Sequence, residues 1–341
     1  NALPLLDFQP DVIHAHDWQS GMVPALLKIQ YAHLPFFANI KTMFTIHNLQ
    51  YQGVFPIKAV QDTLGLGDDL FTSDKLECYG CANYMKAGLV YADELTTVSP
   101  SYAREITTPE QGCGLDGLLR QREAVLSGIL NGVDDAVWNP AADPLSEAPY
   151  SAAKPAGKSR CKLALQRQCG LAERDDAPLF GVVSRLTEQK GLHLVLAGLG
   201  EITSRGGQVV VLGSGDVQME AAFRGAAEAD PANVSVRIGY DEAFAHRIMA
   251  GCDVIMVPSR YEPCGLTQLY GLKYGALPLV RRVGGLADTV TDCSLENLAE
   301  GRATGMVFDE FSVDGFTQGV RRAFALWARP KDWKAVRCNG M

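Results

Sequence analysis

In the second half of the chain, six short, mostly apolar runs, 179–183, 209–212, 234–238, 253–257, 277–280 and 305–308, are each followed by polar or glycine-bearing residues and then by helical periodicity. Runs of this length, bounded by turn residues, predict strands, and the helical spacers predict parallel rather than hairpin connections. The helices are expected to start near Gly191, Asp216, Glu242, Gly265, Leu286 and Val313. A parallel sheet needs helices on both faces, so the pattern restricts this half to a doubly wound α/β sheet. Such sheets take ligands outside the carboxyl ends of their strands. The residues just after each strand are therefore where chemistry is expected.

The first half repeats the rhythm less cleanly. Strands are expected at 11–14, 40–46, 94–98 and 126–130, a helix with an apolar stripe over 17–30, and another opened by Pro100. The stretch 61–92 reads as mostly helical and irregular. Asn131-Gly132 is a turn signal, and 140–158 is rich in Ala, Pro and Ser before a helix over 158–169. A hinge is expected near 127–133, giving domains 1–130 and 131–341. The halves share the βα rhythm but no short repeat.

A length of 341 residues accommodates two such domains, and 47% hydrophobic with 21% charged residues is a globular composition. No apolar run reaches the roughly 18 residues of a spanning helix. A formal charge of −8 and a pI near 5.3 argue against a nucleic-acid backbone as partner. Nine cysteines, odd in number and scattered, suit reduced thiols in a cytoplasmic protein. Cys78 and Cys81 have CxxC spacing without the second pair that a zinc site requires. The triplet Asn233-Val234-Ser235 lacks the secretory context that glycosylation needs. Without an initiator Met, the chain is expected to be a piece of a longer protein.

The richest strand end is Val257-Pro258-Ser259-Arg260-Tyr261-Glu262-Pro263-Cys264-Gly265-Leu266-Thr267-Gln268. It combines a carboxylate with a glycine that opens a helix, whose first N–H groups favour an anion. The pairing suits a ligand with an anionic end and a hydroxyl-rich end, such as a nucleotide-sugar. After the 179–183 strand, Arg185 can pair bidentately with a phosphate and Lys190 can add a point charge. Gly213-Ser214-Gly215 allows close backbone approach, Tyr240 offers a ring for stacking on a base, and Gly284-Gly285 could form a second anion nest. In the first half His47-Asn48 closes a strand before a glycine-containing loop. His14 and His16 share one strand face, with no third metal ligand assured, so no metal is expected.

Several of these runs resemble bacterial glycogen synthases and plant starch synthases. They are Ile13-His14-Ala15-His16-Asp17-Trp18, Phe44-Thr45-Ile46-His47-Asn48-Leu49 with Tyr51-Gln52-Gly53, and Leu130-Asn131-Gly132-Val133-Asp134. Ser184-Arg185-Leu186 with Gln189-Lys190-Gly191, the run Glu262 to Gln268, and Gly284-Gly285-Leu286-Ala287-Asp288 complete the set, in family order over nearly the whole chain. The resemblance implies a retaining GT-B glycosyltransferase of glycogen biosynthesis with two Rossmann-like domains facing a cleft. It would move glucose from ADP-glucose to the non-reducing 4-hydroxyl of an α-1,4-glucan, without metal or other cofactor.

Carried over by position, Arg185 and Lys190 would neutralise the diphosphate, and the amides of Gly265, Leu266 and Thr267 would hold the distal phosphate and sugar. Glu262 would bind the region of the glucose 3-hydroxyl, Tyr240 would stack near adenine, and His47 would contact the glucose. Asp17 and Asn131 would line the acceptor side; Asn48, Gly213 and Cys264 complete the expected substrate-binding set. Where many GT-B enzymes carry a second Glu, eight residues after the first, this chain has Tyr270, as in the glycogen synthase branch. The family's opening Lys-x-Gly-Gly-Leu loop and its closing C-terminal helix are absent, so the first domain is expected to be incomplete and the 341 residues alone inactive. Another nucleotide-sugar transferase or epimerase, or a glucan-binding fragment without catalysis, are the competing readings. Base preference between ADP and UDP is not legible.

Overall fold

A computed structural model describes residues 2–6 and 8–341. The chain forms two compact units, Asn1–Asn131 and Gly132–Met341. In the first, β1 (Val12–His16), β2 (Lys41–Ile46), β6 (Glu94–Thr97) and β7 (Leu126–Gly128) form a parallel sheet in that order. Three short strands, β3 (Val54–Phe55), β4 (Glu77–Cys78) and β5 (Cys81–Asn83), make a separate antiparallel sheet, β3 in the loop expected after His47-Asn48 and β4 and β5 within the stretch expected to be mostly helical. Its strands are only two or three residues long, too short for an alternating pattern to register. The helix expected over 17–30 is divided into Asp17–Ser20, Met22–Leu26 and a wider π turn Leu27–Tyr31, with Pro24 in its second piece.

The second unit holds β8 (Leu179–Val183), β9 (Gln208–Gly213), β10 (Val234–Ile238), β11 (Val254–Val257), β12 (Leu277–Arg281) and β13 (Met306–Phe308). All are parallel, in the order β10-β9-β8-β11-β12-β13. Alternate residues feed two cores. Phe180, Val182, Val209, Val211, Val254 and Met256 pack on one side, and Leu179, Val210, Leu212, Ile255 and Val257 on the other. Burial on both faces is why these strands read as continuous apolar runs. The chain starts in the middle at β8, winds out to β10, and returns to β11 beside β8. That reversal of direction is the topological switch point of a dinucleotide-binding sheet.

The segment that begins the second unit is pinned to two helices, Thr267–Lys273 and Glu242–Gly251. Trp138 is stacked between the rings of His246 (3.7 Å, 14°) and Tyr270 (3.9 Å, 9°). Asp135 pairs with Lys273 at 2.7 Å. The carboxylate of Asp143 accepts hydrogen bonds from Tyr274 Oη (2.7 Å), His246 Nδ1 (2.9 Å), Ser146 Oγ (2.9 Å) and the Leu145 amide (2.8 Å). Tyr150 Oη and the buried Lys158 ammonium both donate to the Tyr274 carbonyl at 2.8 Å, just past the end of the Thr267–Lys273 helix.

Burial pushes the Asp143 carboxyl up, but the hydrogen bonds from His246, Tyr274, Leu145 and Ser146 outweigh it, and its pKa lies below the usual value. A depressed carboxylate stabilises the fold above its unfolded pKa, and that stability is lost as pH falls through the folded value. Tyr274→Phe is expected to cost about 1–2 kcal/mol, read as a lower urea midpoint at unchanged slope. With one donor gone, the carboxyl takes its proton more readily, so acid unfolding of the variant should begin at higher pH than in the parent.

Candidate active site

At the switch point the carboxyl ends of β8 and β11 lie side by side, and their two loops are tied together. The Arg260 amide donates to the Gln189 carbonyl at 2.8 Å, and Arg260 Nη2 pairs with Glu188 at 2.7 Å. Between the loops Glu262 is almost completely buried, at 6% exposure. A buried carboxylate needs both a counter-charge and hydrogen bonds. Lys190 supplies the first, with Nζ 2.5 Å from Glu262 Oε2, and Ser259 Oγ donates to the same oxygen at 2.9 Å. These groups, with Ser184, Gly265, Leu266 and Thr267, line a cavity of about 50 Å³.

The helix after Glu262 begins at Thr267, two residues later than Gly265. Gly265 sits at φ +73° instead, directly over the side chain of Gln268, which a Cβ there would approach to 2.3 Å. Gln268 Nε2 donates to the carbonyls of Cys264 (2.9 Å) and Gly265 (2.8 Å) and to Thr289 Oγ1 (3.2 Å), so it fixes the loop from beneath. Among the described hydrogen bonds none uses the amides of Gly265, Leu266 or Thr267. They are the unpartnered donors of the helix start.

The remaining predicted residues of this unit fall at strand ends as follows. Arg185 is exposed and reaches Gln189 Oε1 at 3.4 Å. Gly213 closes β9 against the loop after β8, its Cα so near the Ser184 carbonyl that a Cβ would lie 1.9 Å from it. Tyr240 is 88% exposed after β10, so its ring is not held in a core. Cys264 is buried within the Glu262 loop. Gly284-Gly285 does not form a free anion nest. The Gly285 amide donates to the Glu262 and Pro263 carbonyls at 3.1 Å, and a Cβ at Gly285 would lie 2.2 Å from the Cys264 carbonyl oxygen. These glycines let a second helix press against the loop that carries Glu262.

In the first unit, Asp17, His47 and Asn48 come together. Asp17 Oδ1 accepts from the backbone amides of His47 (2.7 Å) and Asn48 (3.3 Å), and Asn48 Oδ1 accepts from the Gln50 amide at 3.1 Å. Asp17 reaches its place with φ +52°, a conformation uncommon for a non-glycine residue and one that clusters at functional sites. His47 Nε2 is 3.0 Å from His16 Nδ1, and His14 Nε2 is 2.6 Å from Thr45 Oγ1. Asn131 is exposed at the end of the unit, apart from this group by chain position. Among the described residues no three His, Cys, Asp or Glu side chains converge as metal ligands, and no helix is long and apolar enough to cross a membrane. The sequence reading did not single out Ser259 or the support role of Gln268. Their only signal was spacing, a hydroxyl three residues before Glu262 and an amide three after Gly265.

Residues 1–121 match the family model described as starch synthase catalytic domain, and residues 169–336 the one described as glycosyl transferases group 1. The chain is 59% identical over 335 residues to a glycogen synthase of Francisella tularensis subsp. novicida, covering 98% of this chain and 68% of that protein. A glycogen synthase of Francisella philomiragia is 58% identical, with 98% and 69% covered. Among solved structures, the catalytic domain of starch synthase IV from Arabidopsis thaliana, bound to ADP and acarbose, matches with a TM-score of 0.93 and 34% identity over 99% of this chain and 70% of that one. A sucrose-phosphate synthase from Thermosynechococcus elongatus shares the fold, with a TM-score of 0.59 and 20% identity over 98% of this chain and 69% of that one.

Removing the cation of the Lys190–Glu262 pair leaves a buried charge without its partner. Lys190→Met is therefore expected to destabilise the second unit by about 2–4 kcal/mol in urea unfolding. Adding Glu262→Gln in the same chain should recover most of that loss, because the buried charge is then gone. Independent, additive losses in the double variant would contradict the pairing.

Proposed function

The chain belongs to the glycogen synthase and starch synthase family of GT-B hexosyltransferases, and from that premise we propose that it transfers glucose from ADP-glucose to the non-reducing 4-hydroxyl of an α-1,4-glucan with retention of configuration. The observation that carries this reading is the meeting of Lys190, Glu262 and the amides of Gly265, Leu266 and Thr267 at the sheet's switch point. One end of that arrangement suits a diphosphate and the other a sugar hydroxyl. A relative bound to ADP and acarbose supports nucleotide and glucan as the ligand classes.

In the second unit, Lys190 has two N–H donors beyond the one aimed at Glu262, and with Arg185 they offset the charge that develops on the departing ADP. The helix start at Gly265, Leu266 and Thr267 adds its amides to the distal phosphate, with Cys264 and Gly213 shaping the backbone beside it. Tyr240, free of packing, stacks on the adenine. Glu262 holds the glucose near its 3-hydroxyl rather than attacking it. Its Oε2 already carries bonds from Lys190 and Ser259, which draw electron density from the carboxylate and weaken it as a nucleophile. Retention then follows from departure of ADP and entry of the acceptor on one face of an oxocarbenium-like sugar. From the first unit, His47 and Asn48 contact the glucose, and Asp17 and Asn131 serve the acceptor. Nine free thiols support a reducing cytoplasm as its place.

Incubating the whole protein with glycogen and radiolabelled ADP-glucose should move label into the polymer with release of ADP, and β-amylase should then free the label as maltose. Label entering only from UDP-glucose, or as β-linked sugar, would overturn the reading. Glu262→Ala should lower kcat by about 100-fold or more. Activity within a few-fold of the parent would remove Glu262 from its assigned role.

A further inference from the structure

The strand end that delivers Asp17 to the backbone of His47 also delivers a second group to its ring. β1 and β2 are neighbours in parallel register, with His14 opposite Met43 and His16 opposite Thr45. Side chains two apart on a strand share a face, so the rings of His14 and His16 lie against each other, tilted by 34° with centroids 4.1 Å apart. His14 is engaged below, where its Nε2 lies 2.6 Å from Thr45 Oγ1, itself 2.5 Å from Thr96 Oγ1 on β6. His16 is engaged above, where its Nδ1 lies 3.0 Å from His47 Nε2.

We propose that His16 is a positioning residue for glucosyl transfer: hydrogen-bonded to the imidazole of His47, it holds that ring in one orientation and ties its tautomer to its own. The proposal rests on the role given to His47 in the reading above. An N···N hydrogen bond between neutral imidazoles contains one hydrogen, so the protonation of either ring dictates that of the other. With its amide held by Asp17 and its Nε2 held by His16, His47 keeps a single ring orientation. Nδ1 is the nitrogen left to meet the glucose.

His16 is also biased toward its neutral form. The groups facing it are His14 on β1, the hydroxyls of Thr45 and Thr96 beneath His14, and Asp17 and Ser20 on the following helix. Burial holds the pKa of His16 down, the neighbouring His14 and His47 lower it further, and Asp17 only partly restores it. A neutral ring matters because the sugar becomes positive in the transition state, and an imidazolium beside it would oppose that charge. Activity that depends on this pair is therefore present at neutral pH and falls as acid charges His16.

The test compares the whole protein carrying His16→Phe or His16→Asn with the parent. Phenylalanine fills the space without a ring nitrogen; the amide of asparagine reaches the place of Nδ1 and does not titrate. His16→Phe should lower kcat about 10- to 100-fold, with the donor KM changed less than about threefold. His16→Asn should recover at least about a third of the parent kcat and move the acid limb of the pH profile to lower pH. Nitrogen-15 spectra of labelled histidines should show the tautomer balance of His47 changed in His16→Phe and closer to that of the parent in His16→Asn. A His16→Phe kcat within about twofold of the parent, no recovery by Asn, or an unchanged His47 tautomer in His16→Phe would each overturn the proposal. The spectra read the pair without activity, so a parent that transfers no glucose would defeat the function assigned above while leaving the imidazole pair separately decided.

Discussion

Glu262 is charged, buried and at the end of a central strand, and much of the surrounding structure answers those three facts. A carboxylate removed from water costs several kcal/mol unless a cation and further donors replace its hydration. Lys190 comes from the loop after β8, Ser259 from the loop after β11, and the Arg260–Gln189 backbone bond holds the two loops in step. Beneath, Gln268 braces the loop, and Gly285 brings a neighbouring helix against Cys264 at a distance no other residue could match. The pairing constrains both loops, and the paired loops in turn define the cavity.

The same loop leads into the helix Thr267–Lys273, and that helix is held at its far side by the segment that opens the second unit. Three of its outward groups are taken: Tyr270 by the face of Trp138, Lys273 by Asp135, and the Tyr274 carbonyl by Tyr150 and Lys158. A helix of seven residues has little stability of its own. Its position, and so the direction of its free amides, is set by these tertiary contacts. The role of Tyr270 follows. Where many related enzymes place a second carboxylate, this chain has a ring that stacks on Trp138 and takes no part in the cavity beside Glu262.

The sheet of the second unit was legible because both faces of its strands are buried. The continuous apolar run at 179–183 coincides with β8 to the residue, and the expected strand at 234–238, an edge strand with Ser235 and Arg237 between its apolar residues, coincides with β10. The short antiparallel sheet of the first unit was not legible, since Val54–Phe55 and Glu77–Cys78 are too brief to show a period. Most site residues could be found as polar side chains after strands, which is where a parallel sheet exposes its free ends. Their partnerships could not. Lys190 and Glu262 are 72 residues apart in the chain and meet only because the strand order places β8 beside β11. Gly284-Gly285 was misread for a related reason. A glycine pair at a helix start suits an anion or a close neighbour equally, and the Glu262 and Pro263 carbonyls fill the place of the anion.

The two units offer different electrostatics, and the difference matches the charges that the proposed reaction creates. Breaking the bond between glucose and ADP sends negative charge to the phosphate and positive charge to the sugar. The second unit presents Arg185, Lys190 and a helix start, all suited to the anion. The first presents the paired imidazoles of His16 and His47 and a carboxylate whose Oδ1 is occupied by the His47 and Asn48 amides. A cationic His47 would resist the sugar's charge, and a free carboxylate there would invite a covalent adduct. Asp17 at φ +52° is the backbone cost of using that carboxylate to hold amides instead. On this view the strained residue and the paired rings serve one requirement, a precisely placed His47.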